Sequence, residues 1–229
     1  MKRIIIGIVL SAIAGGGCAA NGAPLDSMAQ RTAACVVCHG VQGRATSAGY
    51  FPRIAGKPEG YLHNQLINFR QGRRINPAMN HLVAYLSDDY LKEIAAHFAA
   101  QHPPYPQAQV AAASAQTMER GRLLVMRGDQ ARKIPACVAC HGQTLSGVAP
   151  AIPGLLGLPR DYLNAQFGAW RLGTRRAAAP DCMAQIAGRL APADIVAVAA
   201  WLSAQPVPRD YFSESPRAAQ LPIACGGLK

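Results

Sequence analysis

The sequence reads CVVCHG at residues 35–40 and CVACHG at residues 137–142, 102 positions further along the chain. The similarity continues beyond these motifs, since Pro52 and the segment after it match the residues from Pro153 onward at an offset of 101. A match that persists at a nearly constant offset indicates an internal repeat. The sequence therefore predicts two copies of one structural unit in tandem.

Two thiols three positions apart, with a histidine directly after them, suit the covalent attachment of haem. A structural zinc site would need four thiolate or imidazole ligands close together, whereas the two Cys pairs lie in separate repeats. A thioredoxin-like dithiol would need a βαβ context, which the sequence lacks. These patterns favour a covalent haem in each repeat, attached through Cys35 and Cys38 and through Cys137 and Cys140.

Residues 1–22 have the pattern of a secretory signal peptide. Lys2 and Arg3 precede an apolar stretch of 11 residues at positions 4–14, which small residues follow. That stretch is shorter than the ~20 residues needed to span a bilayer as a helix. We expect export to the oxidising periplasm. A lipoprotein signal, with a membrane tether through Cys18, is the alternative.

The rest of the chain has the composition of a folded protein. Over the whole chain, 50% of the residues are hydrophobic and 15% are charged. Apolar residues at helical spacing, without strand-like alternation, predict an all-α fold with helices over residues 61–71, 90–100, 119–127 and 193–204. We expect an N-terminal domain over residues 23–102, a Pro/Ala-rich linker over 103–116, a C-terminal domain over 117–205 and an extended tail over 206–229.

The duplicated motif and its surroundings resemble the two-haem class I cytochromes c of the cytochrome c4 type, over nearly all of the mature chain. The resemblance implies two tandem class I cytochrome c domains, each wrapped around one covalent haem. In that family a distal methionine follows the haem motif. Here Met79 lies 40 residues after His39, and Met183 lies 42 residues after His141. These four residues are the iron ligands that the resemblance implies.

Two neighbouring residues offer alternative ligands. His81 lies two positions after the first distal methionine, and Cys182 directly precedes the second. The resemblance further implies that the carbonyls of Pro52 and Pro153 accept hydrogen bonds from the proximal histidines, which would fix the imidazole rings. Six arginines have three open roles, as partners of the haem propionates, as a docking face or as a solvated surface: Arg70, Arg73, Arg74, Arg171, Arg175 and Arg176.

A histidine and a methionine on one iron fill both axial positions and leave none for a substrate. The resemblance thus implies a periplasmic electron carrier with redox protein partners such as a membrane cytochrome complex, a terminal oxidase or a dehydrogenase. The alternative is a haem subunit or enzyme of the thiosulfate or sulfide dehydrogenase type or of the peroxidase type. Nucleic acid is not an expected partner, because the net charge of +11 comes without basic runs or interleaved aromatics.

Two thiols remain after the haem motifs and the export segment are accounted for. They are Cys182 and Cys225, and remaining thiols in an oxidising compartment commonly pair. A bridge between them would pin the C-terminal tail against the loop that carries Met183.

Overall fold

The computed structural model describes residues 26–46, 51–110, 113–216 and 221–228. Within these ranges the chain forms two consecutive groups of helices. The first group comprises α1 (Met28–Arg31), α2 (Ala33–His39), α3 (Glu59–Arg70), α4 (Pro77–Val83) and α5 (Asp88–Ala99). The second comprises α6 (Ala115–Arg127), α7 (Val138–His141), α8 (Arg160–Arg171), α9 (Cys182–Arg189) and α10 (Pro192–Ser203).

Side-chain caps determine where several helices begin. The Ser27 hydroxyl accepts from the backbone N–H of Gln30 and starts α1, and Ser87 does the same for α5. Asn76 caps α4, whose first residue is Pro77, a residue that suits the first helical turn. Because α3 and α5 pack against each other, they enclose the first core, which contains Leu62, Phe69, Val83, Leu91, Ile94, Ala95 and Phe98.

The second core forms where α6 crosses α10. Gly121 lies at this crossing, and a Cβ atom placed on it would come within 2.2 Å of the Ala197 carbonyl oxygen. The glycine is therefore required for the close approach of the two helices. Apolar residues from α6, α8, α9 and α10 fill the space around the crossing, among them Leu124, Val125, Leu163, Phe167, Ala187, Val198 and Leu202.

The prediction of an all-α fold is confirmed, with one small addition. Strands β1 (Gly147–Val148) and β2 (Ile152–Pro153) form an antiparallel hairpin directly after the second haem motif. Two residues per strand are too few to produce a recognisable alternation, so the sequence pattern does not indicate these strands. The helix α6 begins at Ala115, after its cap Ser114, and thus includes the last two residues of the predicted 103–116 linker.

The connection between the two groups lies against the protein at several points. Arg53 donates to the carbonyls of Pro103 and Pro104, and its guanidinium stacks on the Tyr105 ring at 3.7 Å. Further along, the tail contributes Tyr211, whose hydroxyl accepts from the backbone N–H of Leu156 at 2.9 Å. The linker and the tail therefore help to close the second core, against which Tyr105 and Tyr211 pack.

Residues 1–25, with the predicted signal peptide and Cys18, lie outside the described part of the chain. In the part that is described, no single helix is both long and apolar enough to cross a membrane. One pair, α9 and α10, meets that criterion by length and composition together, but it is bent by 113°.

The helix crossing yields a stability prediction with a matched control. We expect Gly121→Ala to lower the free energy of unfolding by about 1–3 kcal/mol, because the methyl group would push α6 away from α10. Gly168, on α8, has no atom within 4 Å of such a Cβ. Gly168→Ala should therefore raise stability by about 0.5–1 kcal/mol. Urea unfolding followed by circular dichroism measures both, and equal effects at the two positions would contradict the packing argument.

Candidate haem-binding site

Each haem motif places its histidine at the C-terminal end of a short helix. His39 ends α2, and its Nδ1 lies 2.8 Å from the carbonyl oxygen of Pro52. His141 ends α7, and its Nδ1 lies 2.7 Å from the carbonyl oxygen of Pro153. Because a carbonyl oxygen can only accept, Nδ1 carries the proton in both rings and Nε2 keeps its lone pair. This is the tautomer that a metal-binding imidazole requires.

Burial supports the same protonation state. Both histidines are buried, and the desolvation lowers the pKa of His39 and of His141 despite the carbonyl partners. A neutral imidazole is the form that binds iron, so the protein keeps both side chains ready to act as ligands without a change of protonation.

A glycine turns the chain away after each histidine. Gly40 has φ +75°, and a Cβ placed on it would lie 2.3 Å from the Ala45 carbonyl oxygen. Gly142 has φ +89°, where its Cβ would lie 2.7 Å from an oxygen of Glu214. Both positions favour glycine on backbone conformation. The sequence signal for these turns is the glycine that directly follows the histidine in both motifs.

The four motif cysteines are free, half-buried thiols that line the same cavity as the histidines. Burial raises the pKa of Cys35 and Cys140, and it raises that of Cys137 to about 12. A redox-active dithiol instead needs a thiol with a lowered pKa. The chemistry of these thiols therefore fits permanent bonds to a bound group better than thiol–disulfide exchange.

One continuous cavity of about 650 Å³ runs through both halves of the molecule. The motif cysteines, the two histidines and the two predicted distal methionines all line it. Its walls are otherwise mainly apolar, with Leu62, Phe69 and Phe98 on one side and Leu163, Phe167 and Leu202 on the other. A flat apolar group with thiol attachment points and iron at its centre suits such a space, so the residues present fit haem.

The predicted distal methionines lie on the short helix that precedes the last helix of each half. Met79 is the third residue of α4, and its backbone N–H donates to the Asn76 cap at 3.1 Å. Met183 is the second residue of α9. The alternative ligand His81 is exposed and does not line the cavity. Cys182, the other alternative, is bonded to Cys225 and has no free thiolate.

That disulfide confirms the predicted pairing of the two leftover cysteines. It joins α9 to the tail, where the Gly226 N–H also donates to the Pro180 carbonyl at 2.9 Å. Asn64 of α3 donates to the Gly227 carbonyl at 2.6 Å, so the tail contacts both halves of the molecule. Its apolar residues close part of the cavity wall, namely Leu221, Ile223 and Leu228.

Two arginines meet where the halves touch. Arg74 donates to the side-chain oxygens of Gln65 and Gln166, at 2.9 and 2.8 Å. Arg175 donates to the same two oxygens, at 3.3 Å to Gln65 and 2.7 Å to Gln166. Each guanidinium also stacks on an aromatic ring of its own half, Phe69 or Trp170. We call these two arginines and two glutamines the arginine square.

The arginine square lines the cavity and is short of negative charge. Arg175 is 6% exposed, and within the described ranges neither it nor Arg74 has a carboxylate within ion-pair distance. Burial, followed by the charge of Arg74, lowers the pKa of Arg175. One buried and one half-buried cation facing an apolar cavity suit a ligand that brings its own carboxylates, as haem does with its propionates.

The other four arginines of the predicted group divide into two pairs. Arg73 and Arg176 line the cavity beside the square. Arg70 is paired with Asp88 and also donates to the Leu86 carbonyl, which places it in the structure of its own half. Arg171 is exposed and lies away from the cavity lining.

The sequence comparisons identify the relatives of this chain. A thiosulfate dehydrogenase electron acceptor from Stutzerimonas stutzeri is 39% identical over 170 residues, covering 74% of this chain and 78% of the relative. Cytochrome c4 from Pseudomonas aeruginosa is 31% identical over 204 residues, covering 88% of this chain and 98% of the relative. No protein-family model matches the chain.

Solved structures are similar as well. Reduced cytochrome c4 from Pseudomonas stutzeri gives a TM-score of 0.66 at 29% identity, covering 76% of this chain and 95% of that one. A thiosulfate dehydrogenase from Marichromatium purpuratum gives 0.67 at 32% identity, covering 75% of this chain. The present chain spans only 36% of the length of that dehydrogenase.

The fold and the site define a class I c-type cytochrome, a protein that holds covalent haem c between short helices. The relatives are named as electron acceptors or as cytochromes, so its role is electron transfer and not catalysis. The chain belongs to the cytochrome c4 family of di-haem electron carriers. Like other members of that family, it is a periplasmic protein.

Removal of the disulfide gives the second prediction. The bond joins residues 43 positions apart, and we expect Cys182→Ala/Cys225→Ala to lower the free energy of unfolding by about 4 kcal/mol through the larger entropy of the unfolded chain. Urea unfolding of the variant and of the wild type, each with and without a reductant, measures the change. If the reductant destabilises the variant as much as the wild type, the bond is not the source of the stability.

Proposed function

We propose that the protein carries two haems c, one in each half, and passes electrons between them. The observation that carries this proposal is the repetition of a complete donor set around one cavity. In the first half, Cys35 and Cys38 would form the thioether bonds, while His39 and Met79 would bind the iron. In the second half the same roles fall to Cys137, Cys140, His141 and Met183.

The protein residues act mainly by holding their positions. When bound, each haem supplies a one-electron couple, and a thioether ligand favours its ferrous form relative to a second imidazole. Pro52 and Pro153 hold the proximal rings at fixed orientation through the Nδ1 hydrogen bonds. Because the histidine and the methionine of each half would be held by the fold in either oxidation state, little of the protein would have to rearrange on reduction. The mainly apolar lining of the cavity would leave few water molecules near the groups to reorient.

The arginine square would supply the positive charge that complements the haem propionates. Arg74 and Arg175 would bind the propionates of the two haems, with the two glutamine side chains keeping both guanidiniums in place. The square joins the two halves along the wall of one cavity, so residues of both halves would hold the two groups within the same space.

The domain organisation belongs to the same proposal. We place the boundaries at residues 23–102 and 117–205, with a linker over 103–116 and a tail over 206–229 that acts as a structural part of the second site. Residues 1–22 would direct export, and anchoring through a lipid on Cys18 stays a prediction.

The haem number and the ligands are tested together. We expect the intact mass of the denatured protein to exceed that of the processed polypeptide by two haems. The weak far-red ferric band of methionine-ligated haem should fall by half in Met79→Ala and by half in Met183→Ala. Met126→Ala, at a partly exposed methionine on α6, serves as the control and should keep the whole band. A band unaffected by Met183→Ala would remove this residue from the ligand set.

We further propose that a thiosulfate dehydrogenase is the electron donor. Two relatives, at 39% and 38% identity, are named as electron acceptors of that enzyme. The chain also has the charge for electrostatic steering, since residues 24–105 sum to +3 and residues 106–229 to +6. A cationic carrier associates faster with an acidic partner, and salt slows that association.

A stopped-flow experiment tests the donor. The oxidised protein is mixed anaerobically with a thiosulfate dehydrogenase and thiosulfate, and we expect its haem bands to become reduced at a rate that falls as salt is raised. Omission of thiosulfate is the control and should abolish the reduction. If chemical reductants reduce the protein but the enzyme does not, another donor must be sought.

A further inference from the structure

A buried lysine of the first half contacts the second haem site. Lys57 precedes α3, is 5% exposed, and its Nζ donates to the carbonyl oxygen of Gly154 at 3.0 Å. Gly154 directly follows Pro153, the residue whose carbonyl holds the ring of His141. Lys57 therefore lies across the boundary between the halves, next to the turn behind the second proximal histidine.

The Lys57 ammonium has a carbonyl oxygen, and not a carboxylate, as its hydrogen-bond partner. In the described ranges, no carboxylate lies within ion-pair distance of Lys57. Burial, reinforced by the positive charge of Arg53, lowers its pKa to about 7. The other titratable groups around it are Glu59 and His102, which line a neighbouring cleft with it, and His141 across the boundary. The lysine thus holds a proton at mildly acidic pH and loses it in alkali.

The arrangement is not repeated in the other direction. Position 57 corresponds to position 158 at the offset of 101, and Leu158 packs against the second core. Arg53 corresponds to Gly154, which has no side chain. The first half therefore has a buried lysine at the turn behind the second proximal histidine, whereas positions 154 and 158 of the second half, equivalent to Arg53 and Lys57, carry no cation.

We propose that Lys57 is a tuning residue for the second haem, whose reduction potential it raises above the value that the ligands alone would give. This inference rests on the proposed presence of haem in the second half. Reduction adds one electron and hence one negative charge at the iron, and a nearby buried cation stabilises that state. Through the Gly154 carbonyl, the ammonium also withdraws electron density from the turn whose Pro153 carbonyl accepts the hydrogen bond of the His141 Nδ1–H. Both effects favour the ferrous second haem and draw an electron from the first iron to the second.

The first test removes the charge while keeping the length of the side chain. In Lys57→Met we expect the equilibrium constant for reduction of the second haem to fall about tenfold at pH 6, which is about 59 mV for a one-electron couple. The first haem should change much less. Spectroelectrochemical titration measures both potentials, and Met183→His identifies the second haem because its ligand change alters that spectrum.

The pH dependence supplies a readout that a purely structural role would not affect. Between pH 6 and pH 9 the wild-type potential of the second haem should fall toward that of Lys57→Met, because the lysine loses its proton. Lys57→Arg keeps its charge at both pH values, so its potential should stay high. Lys57→Met should lack this step.

The outcomes separate this inference from the proposed function. Equal shifts at the two haems in Lys57→Met, or no shift with the methionine–iron band intact, would overturn the role of the lysine. A wild-type protein without haem on Cys137 and Cys140 would overturn the proposed function itself. If Lys57→Met does not fold, the comparison of wild type with Lys57→Arg across the pH range still decides.

Discussion

Each half of the molecule is organised by the hydrogen bond between a histidine ring and a proline carbonyl. The bonded residues are 13 positions apart in the first half and 12 in the second. The bond joins the helix that carries the two thiols to the loop before the next long helix, and it selects the tautomer that leaves Nε2 free. The helices, the glycine turn and the opposite methionine are then arranged around one fixed imidazole direction. Without that direction the same residues would line an apolar cavity with no imidazole nitrogen oriented to bind a metal.

Much of this arrangement could be predicted from the sequence because the same functional residue types recur in both copies of the repeat. The haem motifs, the prolines and the methionines recur at nearly constant offsets, and the helices show clear apolar spacing. The pairing of Cys182 with Cys225 could be predicted by elimination, since few thiols remained. The short hairpin could not be predicted, because two-residue strands carry no periodic signal. The roles of the ligands remain predictions that the haem and mass measurements address.

The contacts between the halves were harder to predict from the sequence. Gln65 and Gln166 occupy equivalent positions in the two repeats, yet a glutamine on a helix usually faces solvent, and only the packing of one half on the other shows that both accept from two arginines. The contact of Lys57 could not be predicted from the sequence either, because the second repeat has no lysine at the equivalent position. Its burial follows from where the first half meets the turn after Pro153, which is a tertiary property that local pattern does not encode.

The arginine square also has an evolutionary consequence. Each glutamine oxygen serves one arginine of its own half and one of the other, so neither half satisfies its own guanidinium completely. If one copy were lost, the surviving copy would keep an arginine and a glutamine without their hydrogen-bond partners from the other half. Reversion to a single unit would therefore favour substitutions at the arginine and the glutamine as well. The arginine square therefore favours retention of both copies. It also couples substitutions at these four positions in one copy to those in the other.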